Sequence, residues 1–187
     1  MKPAVVSDVL AVGEVPALEQ IAILAKAGFK TLINNQPDGE VDRLPASATV
    51  GAEAQRLGLV YRYIPLASRT PPPEQLAAFA AALKELPAPI YACCYSGARS
   101  AAGCALILAR QSDVDGILAG FAKAGYDVSG IRAFLEKERS GDKVAKPHAN
   151  GSAEHSKTAT PTATPLPPSY QPVVVLPRAS SSGGFAM

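Results

Sequence analysis

Short apolar runs alternate with longer amphipathic stretches along the first 139 residues. Val9–Val12 is a short apolar run ending at Gly13, and it predicts a strand. Pro16 then opens a stretch that places Leu18, Ile21 and Leu24 on one helical face, with Gly28 at its C-terminal end. Phe29–Asn34 predicts a second, buried strand that leads into a turn at Asn35–Gly39. Ser47 is placed to cap a helix running to Leu57, stopped by Gly58, and Leu59–Leu66 predicts a third strand. Thr70 and Pro71 start a helix with Leu76, Phe79, Leu83 and Leu86 at helical spacing. Ile90–Cys93 is a fourth strand, followed by helices over Arg99–Arg110, Asp113–Ala124 and Ser129–Arg139. Strands separated by helices give an α/β fold with a mainly parallel sheet of four to five strands, helices on both faces. In such folds the reactive crevice lies at the carboxyl ends of the strands.

Composition changes near Ser140, which divides the chain into a domain over 1–139 and a tail over 140–187. The tail is rich in Pro, Ser, Thr and Ala and cannot bury enough apolar surface to offset its ordering entropy, so disorder is expected. Val173–Leu176 is one apolar patch within it, available to dock on the domain or a partner. Pro167–Tyr170 matches a proline-rich ligand pattern that such a composition produces by chance. The formal charge of +2 over 187 residues argues against a nucleic-acid or polybasic membrane surface. No apolar run approaches spanning length, and the N-terminus lacks a signal-peptide pattern. Three cysteines, two of them adjacent, do not form a disulfide framework, and a reducing cytoplasm is the expected compartment. Both histidines lie in the tail, so no metal site and no metal or organic cofactor is expected.

Candidate chemistry concentrates in YACCYSGARS, residues 91–100. A strand, a cysteine, a glycine-containing turn and a helix start point successive backbone N–H groups inward, with a helix N-terminus behind the thiol. These groups and Arg99 favour negative charge, so Cys94 is expected to ionise below the ~8.5 of a free cysteine. Tyr95, Ser96, Gly97, Ala98 and Ser100 form the anion-binding loop; Gly97 permits the tight turn, and Ser100 is placed to hydrogen-bond the thiolate or leaving atom. Cys93, one position earlier on the strand, points to the opposite sheet face and reads as core packing, as does Cys104 in the following helix. Asp38 and Glu40 belong to the turn after the second strand; acid–base or substrate-positioning roles compete there with ordinary turn chemistry. Arg69 reads as an exposed arginine near the mouth of the loop.

The segments AGFKTLINNQPDGE (27–40), YRYIPLASRTPPPEQLAAFAAAL (61–83), CYSGARS (94–100) and AGYDVSGIRAFL (124–135) carry a resemblance. Together they resemble the bacterial family known as beta-lactamase hydrolase-like proteins, phosphatase-like domain, also catalogued as a sulfur transferase family. The resemblance implies a fold like that of dual-specificity protein phosphatases, with Ile64-Pro65-Leu66 at the end of one strand and Cys94 as nucleophile. It also exposes departures. Four residues, not the phosphatase five, separate Cys94 from Arg99, a spacing similar to the active loop of rhodanese sulfurtransferases. The segment Ala67–Thr70 lacks the aspartate that phosphatases use as general acid, a group worth about 10²–10⁴-fold. Tyr95 and Gln36 stand where relatives often carry arginine.

On this basis the first reading is a sulfurtransferase that carries a persulfide on Cys94, with Arg99 beside it. Its substrate would be a small anionic or sulfane-sulfur donor, and its acceptor a low-molecular-weight thiol. The alternative is phosphomonoester hydrolysis through a cysteinyl phosphate clamped by Arg99. A third reading is a non-catalytic anion-binding or thiol-sensing module. No nucleic acid or membrane partner is implied, and the tail's partner is unspecified.

Overall fold

A computed structural model describes residues 4–141. Residues 142–187 of the expected tail, with its apolar and proline-rich segments, lie outside the described residues. The last described helix runs to Gly141, two residues past the expected domain boundary.

Five strands form one sheet in the order β1-β2-β5-β3-β4. They are β1 (Ala4–Ser7), β2 (Leu10–Glu14), β3 (Thr31–Asn34), β4 (Val60–Tyr63) and β5 (Ile90–Cys94). Only the β1–β2 pairing is antiparallel; β2–β5, β5–β3 and β3–β4 are parallel. β1, an edge strand joined to β2 by a tight turn, is the element that the sequence pattern did not predict. β5 lies at the centre, and its residues Ile90–Cys94 are all buried, as expected for a strand covered on both faces.

Among the described residues six α-helices flank the sheet: α1 (Leu18–Lys26), α2 (Ser47–Arg56), α3 (Pro73–Glu85), α4 (Ala98–Ala109), α5 (Val114–Lys123) and α6 (Arg132–Gly141). A single 3₁₀ turn, Ser129–Ile131, leads into α6. Ile21, Leu24, Val50 and Ala54 of α1 and α2 pack with Leu32, Tyr91 and Cys93 on one sheet face. On the other, Val12, Ile33 and Ala92 meet α3–α6 through Leu76, Phe79, Cys104, Phe121 and Leu135. The period-2 geometry of β5 therefore divides the adjacent cysteines. Cys93 joins the α1/α2 core, Cys104 joins the larger core, and Cys94, though buried, belongs to neither.

The start of α2 is capped differently from the pattern reading. Ser47 is the first residue of α2, not its cap; Ala46 occupies the cap position and supplies no side-chain bond. The Asp38 carboxylate does that work from nine residues away, accepting from the Ser47 backbone N–H (2.7 Å) and hydroxyl (2.6 Å). Asp113, by contrast, caps α5 locally through the Gly116 N–H at 2.7 Å. No helix among the described residues is long and apolar enough to cross a membrane.

Candidate active site

The carboxyl ends of β2, β3 and β5 come together around Cys94. Its carbonyl accepts from the Val15 N–H at 2.9 Å, and the Asn35 N–H donates to the Cys93 carbonyl at 2.7 Å. Pinned on both sides, β5 stops at Cys94 and the chain turns through Tyr95, Ser96 and Gly97 into α4. Gly97 is the N-cap of α4 at φ +81°, the left-handed region that favours glycine. A β-carbon there would lie 2.1 Å from the Tyr126 hydroxyl oxygen. Backbone conformation and close approach thus both demand glycine at this position.

The Arg99 N–H, at the start of α4, donates to Cys94 Sγ at 3.3 Å. This is the helix-terminus arrangement that the sequence spacing called for. Ser100 is placed differently: its buried hydroxyl donates to Asn35 Oδ1 at 2.9 Å, and Asn35 Nδ2 donates to the Ile64 carbonyl at 2.9 Å. Instead of a direct bond to the sulfur, Ser100 and Asn35 tie α4 to the chain leaving β4. The other loop residues differ in exposure: Tyr95 and Ser96 are exposed, Ala98 is half-buried and Gly97 is buried.

The Arg99 guanidinium is the best-connected cation of the site. Nη1 donates to the Leu66 carbonyl (3.0 Å) and Glu40 Oε1 (3.1 Å); Nη2 donates to Glu40 Oε2 (2.6 Å) and Gln36 Oε1 (3.0 Å). Burial pulls the Arg99 pKa down, but the Glu40 bond and charge outweigh it, and the net displacement is upward. On the Glu40 side, the hydrogen bond from Arg99 holds the carboxyl below its ordinary value, with a smaller contribution from Gln36. Burial acts oppositely on the other two cysteines, pushing Cys93 well above a normal thiol and Cys104 up to about 12.

Of the two carboxylates singled out in the turn, only Glu40 reaches this cluster. Asp38 serves the start of α2, and its N–H donates to the Tyr63 hydroxyl at 3.0 Å. Gln36, to which the sequence reading gave no catalytic role, is buried here. Its Oε1 accepts from the Tyr95 N–H at 2.8 Å as well as from Arg99, and its Nε2 donates to Glu40 Oε2 at 3.0 Å. An uncharged side chain without motif gives little signal; the polar run Asn34-Asn35-Gln36 at the carboxyl end of a buried strand was the available one. Tyr126, packed on Gly97, was also missed as a site residue.

A surface cleft of about 400 Å³ opens beside these groups. It is lined by Tyr95, Ser96, Ala98 and Arg99 of the loop and helix start, by Glu40, and by Ala67, Ser68 and Arg69. Arg69 donates from Nη2 to the Asp127 carbonyl at 2.6 Å. Arg43 hydrogen-bonds the Tyr95 hydroxyl, and its guanidinium carbon sits 5.0 Å from the ring centroid, a cation–π distance. This brings a cation beside Tyr95 at the rim of the cleft.

Comparison with known proteins gives this geometry a context. A putative phosphatase from Neisseria meningitidis Z2491 superposes with a TM-score of 0.67 at 22% identity, covering 74% of this chain and 100% of its own. Kinase-associated phosphatase, in a form with serine for its catalytic cysteine, superposes with a TM-score of 0.58 at 14% identity, covering 73% and 88%. At such identities the likeness establishes the fold, which is phosphatase-like. Among curated sequences, a beta-lactamase hydrolase-like protein of Agrobacterium fabrum is 27% identical over 154 residues, 79% of this chain and 34% of its own length. A protein of the same description from Xylella fastidiosa strain Temecula1 is 29% identical over 100 residues, 54% of this chain and 23% of its own. The chain therefore spans about a third or less of the length of these relatives. The model of one family matches residues 4–111, from β1 through α4 and the Cys94 loop, more than half of the sequence. The chain belongs to the beta-lactamase hydrolase-like protein, phosphatase-like domain family.

Proposed function

We propose that this chain is a cysteine-dependent hydrolase of phosphomonoesters. One observation carries the reading: the Arg99 N–H is aimed at Cys94 Sγ from a helix start while the Arg99 side chain, with Tyr95 and Ser96 of the same loop, lines the adjoining cleft. In the first step Cys94 thiolate attacks phosphorus, an S–P bond forms, and the ester P–O bond breaks, releasing an alkoxide that takes a proton. In the second, water attacks the cysteinyl phosphate, the S–P bond breaks, and phosphate leaves with thiolate restored. The planar guanidinium of Arg99 matches two phosphoryl oxygens as their charge spreads in the transition state. The phosphatase-like fold and family description support phosphoryl chemistry ahead of the persulfide chemistry expected from loop length; neither gives sulfur transfer independent support.

Sulfur transfer stays as the second reading because two features favour it: only four residues separate Cys94 from Arg99, and Ala67–Thr70 holds no carboxylate. There the thiolate takes the outer sulfur of a sulfane donor, expels a thiolate or sulfite, and hands the sulfur to a small thiol.

A single experiment divides these readings. The full chain is incubated with para-nitrophenyl phosphate or with thiosulfate, acid-quenched, and weighed intact by mass spectrometry. Expected are steady phosphate release and a trapped adduct of one phosphoryl group, both lost in Cys94→Ser. In Arg99→Lys, turnover should fall about 10²–10³-fold, the usual cost of removing a preorganised oxyanion donor. An adduct of one sulfur atom without phosphate release would replace the first reading by the second. Neither adduct, with no turnover, would leave a binding module.

A further inference from the structure

Donors suited to an anion are engaged here by side chains of the chain itself. The Tyr95 N–H, the first amide after the candidate nucleophile, is held by Gln36 Oε1. The outer edge of the Arg99 guanidinium is held by the same oxygen and by both Glu40 oxygens. Three side-chain oxygens of the β3–α2 connection thus gather on donors suited to a substrate phosphoryl group. Gln36 Nε2 steadies the carboxylate in that position.

We propose that Glu40 is the leaving-group acid of the hydrolase, parked on Arg99 until the phosphoryl oxygens of the substrate displace it. The inference rests on the phosphatase reading above. Three observations support it. Glu40 is the one carboxylate lining the cleft among the described residues; Ala67–Arg69, which also lines it, offers none. Its side chain is 40% exposed, so no core packing opposes its release from the guanidinium. Its present partner is the group that the substrate must occupy.

Displacement also changes what Glu40 can do. While Arg99 donates to both oxygens, the carboxyl is kept ionised. When a phosphoryl dianion takes the guanidinium, Glu40 loses that cation and faces a new negative charge, and both changes favour its protonated form. Arg69, the other charged group on the cleft, is bonded to the Asp127 carbonyl, and the Tyr95 hydroxyl to Arg43. The proton comes from solvent as the substrate settles. In the first chemical step it passes from the Glu40 carboxyl to the departing oxygen, giving neutral alcohol and carboxylate. In the second, Glu40 takes a proton from the attacking water as the S–P bond breaks, which restores the acid. Atoms and charge balance over the cycle, and no further reactant is needed.

The test uses the full chain and Glu40→Gln with two esters that differ in leaving group. Phenyl phosphate releases a strongly basic phenoxide, whereas 2,4-dinitrophenyl phosphate releases an anion that needs no proton. Because kcat/KM reads only as far as release of the leaving group, and so excludes the shared hydrolysis step, Glu40→Gln should lower kcat/KM about 10²–10³-fold on the phenyl ester and less than about tenfold on the dinitrophenyl ester. Glu40→Asp should recover part of the phenyl activity. Inorganic phosphate should inhibit Glu40→Gln more tightly than the parent, because no carboxylate competes for Arg99. That gain also shows the cup to be intact in the variant. Equal losses on both esters, or none on either, would overturn the acid role while leaving the hydrolase reading in place. Failure of the unsubstituted chain on both esters would bring down the hydrolase reading itself, and the acid role with it.

Discussion

Replacing Gly97 by alanine tests whether the loop geometry is dictated by the backbone and by Tyr126 together. Two costs add. At φ +81° an alanine pays the left-handed penalty, about 1–2 kcal/mol. The new β-carbon would also sit 2.1 Å from Tyr126 Oη, 2.7 Å from Cζ and 2.9 Å from Cε1, all inside contact distance. Because several ring atoms are involved, the half-buried ring must shift bodily, an overpacking cost of about 1–3 kcal/mol. The total is about 2–5 kcal/mol, a large share of a stability of about 5–15 kcal/mol. Urea denaturation followed by circular dichroism reads it as a fall in midpoint on the order of 1–3 M. Tyr126→Ala separates the two components. With the ring gone, the double variant should be less destabilised than the sum of the singles by about 1–3 kcal/mol, the steric share alone. Additivity within about 0.5 kcal/mol would refute the steric half of the argument, and a Gly97→Ala loss below that value would refute both halves.

The three thiols should separate on alkylation near pH 7. Burial raises the pKa of both Cys93 and Cys104, so each is a neutral, unreactive thiol well above that pH, and iodoacetamide with peptide mapping should label Cys94 first. Equal labelling of all three in the folded chain would remove the distinction on which the nucleophile assignment stands. Asn35→Ala should destabilise by about 2–4 kcal/mol in the same urea assay, because it strands the buried Ser100 hydroxyl and the Ile64 carbonyl. A loss under about 1 kcal/mol would mean that this bridge between α4 and the end of β4 is not structural.

How much of this was legible depended on the range of the interaction involved. The opposed orientation of Cys93 and Cys94 follows from strand geometry alone, and the sequence reading found it, as it found the order of strands and helices after Val9. The β1–β2 hairpin was missed because Ala4–Ser7 and Leu10–Glu14 flank a turn without glycine or proline, and Ser7-Asp8 is its one polar mark. Other failures were non-local. Pattern reasoning gave the start of α2 to its own Ser47, a local cap, whereas the carboxylate that satisfies that N–H comes from Asp38.

That capping bond does more than correct a helix boundary. Asp38 and Glu40 stand two residues apart in one turn, and composition offers no reason to prefer either as the reactive carboxylate. Once Asp38 is committed to the first turn of α2 and its own N–H to Tyr63, the turn is held at that point. The chain then passes Gly39 and presents Glu40 to Arg99 with Gln36 beside it. One acid therefore anchors the turn so that the other can face the cup. The sequence names both candidates; the two roles emerge only when α2, β4 and α4, which are far apart along the chain, converge on the same five residues.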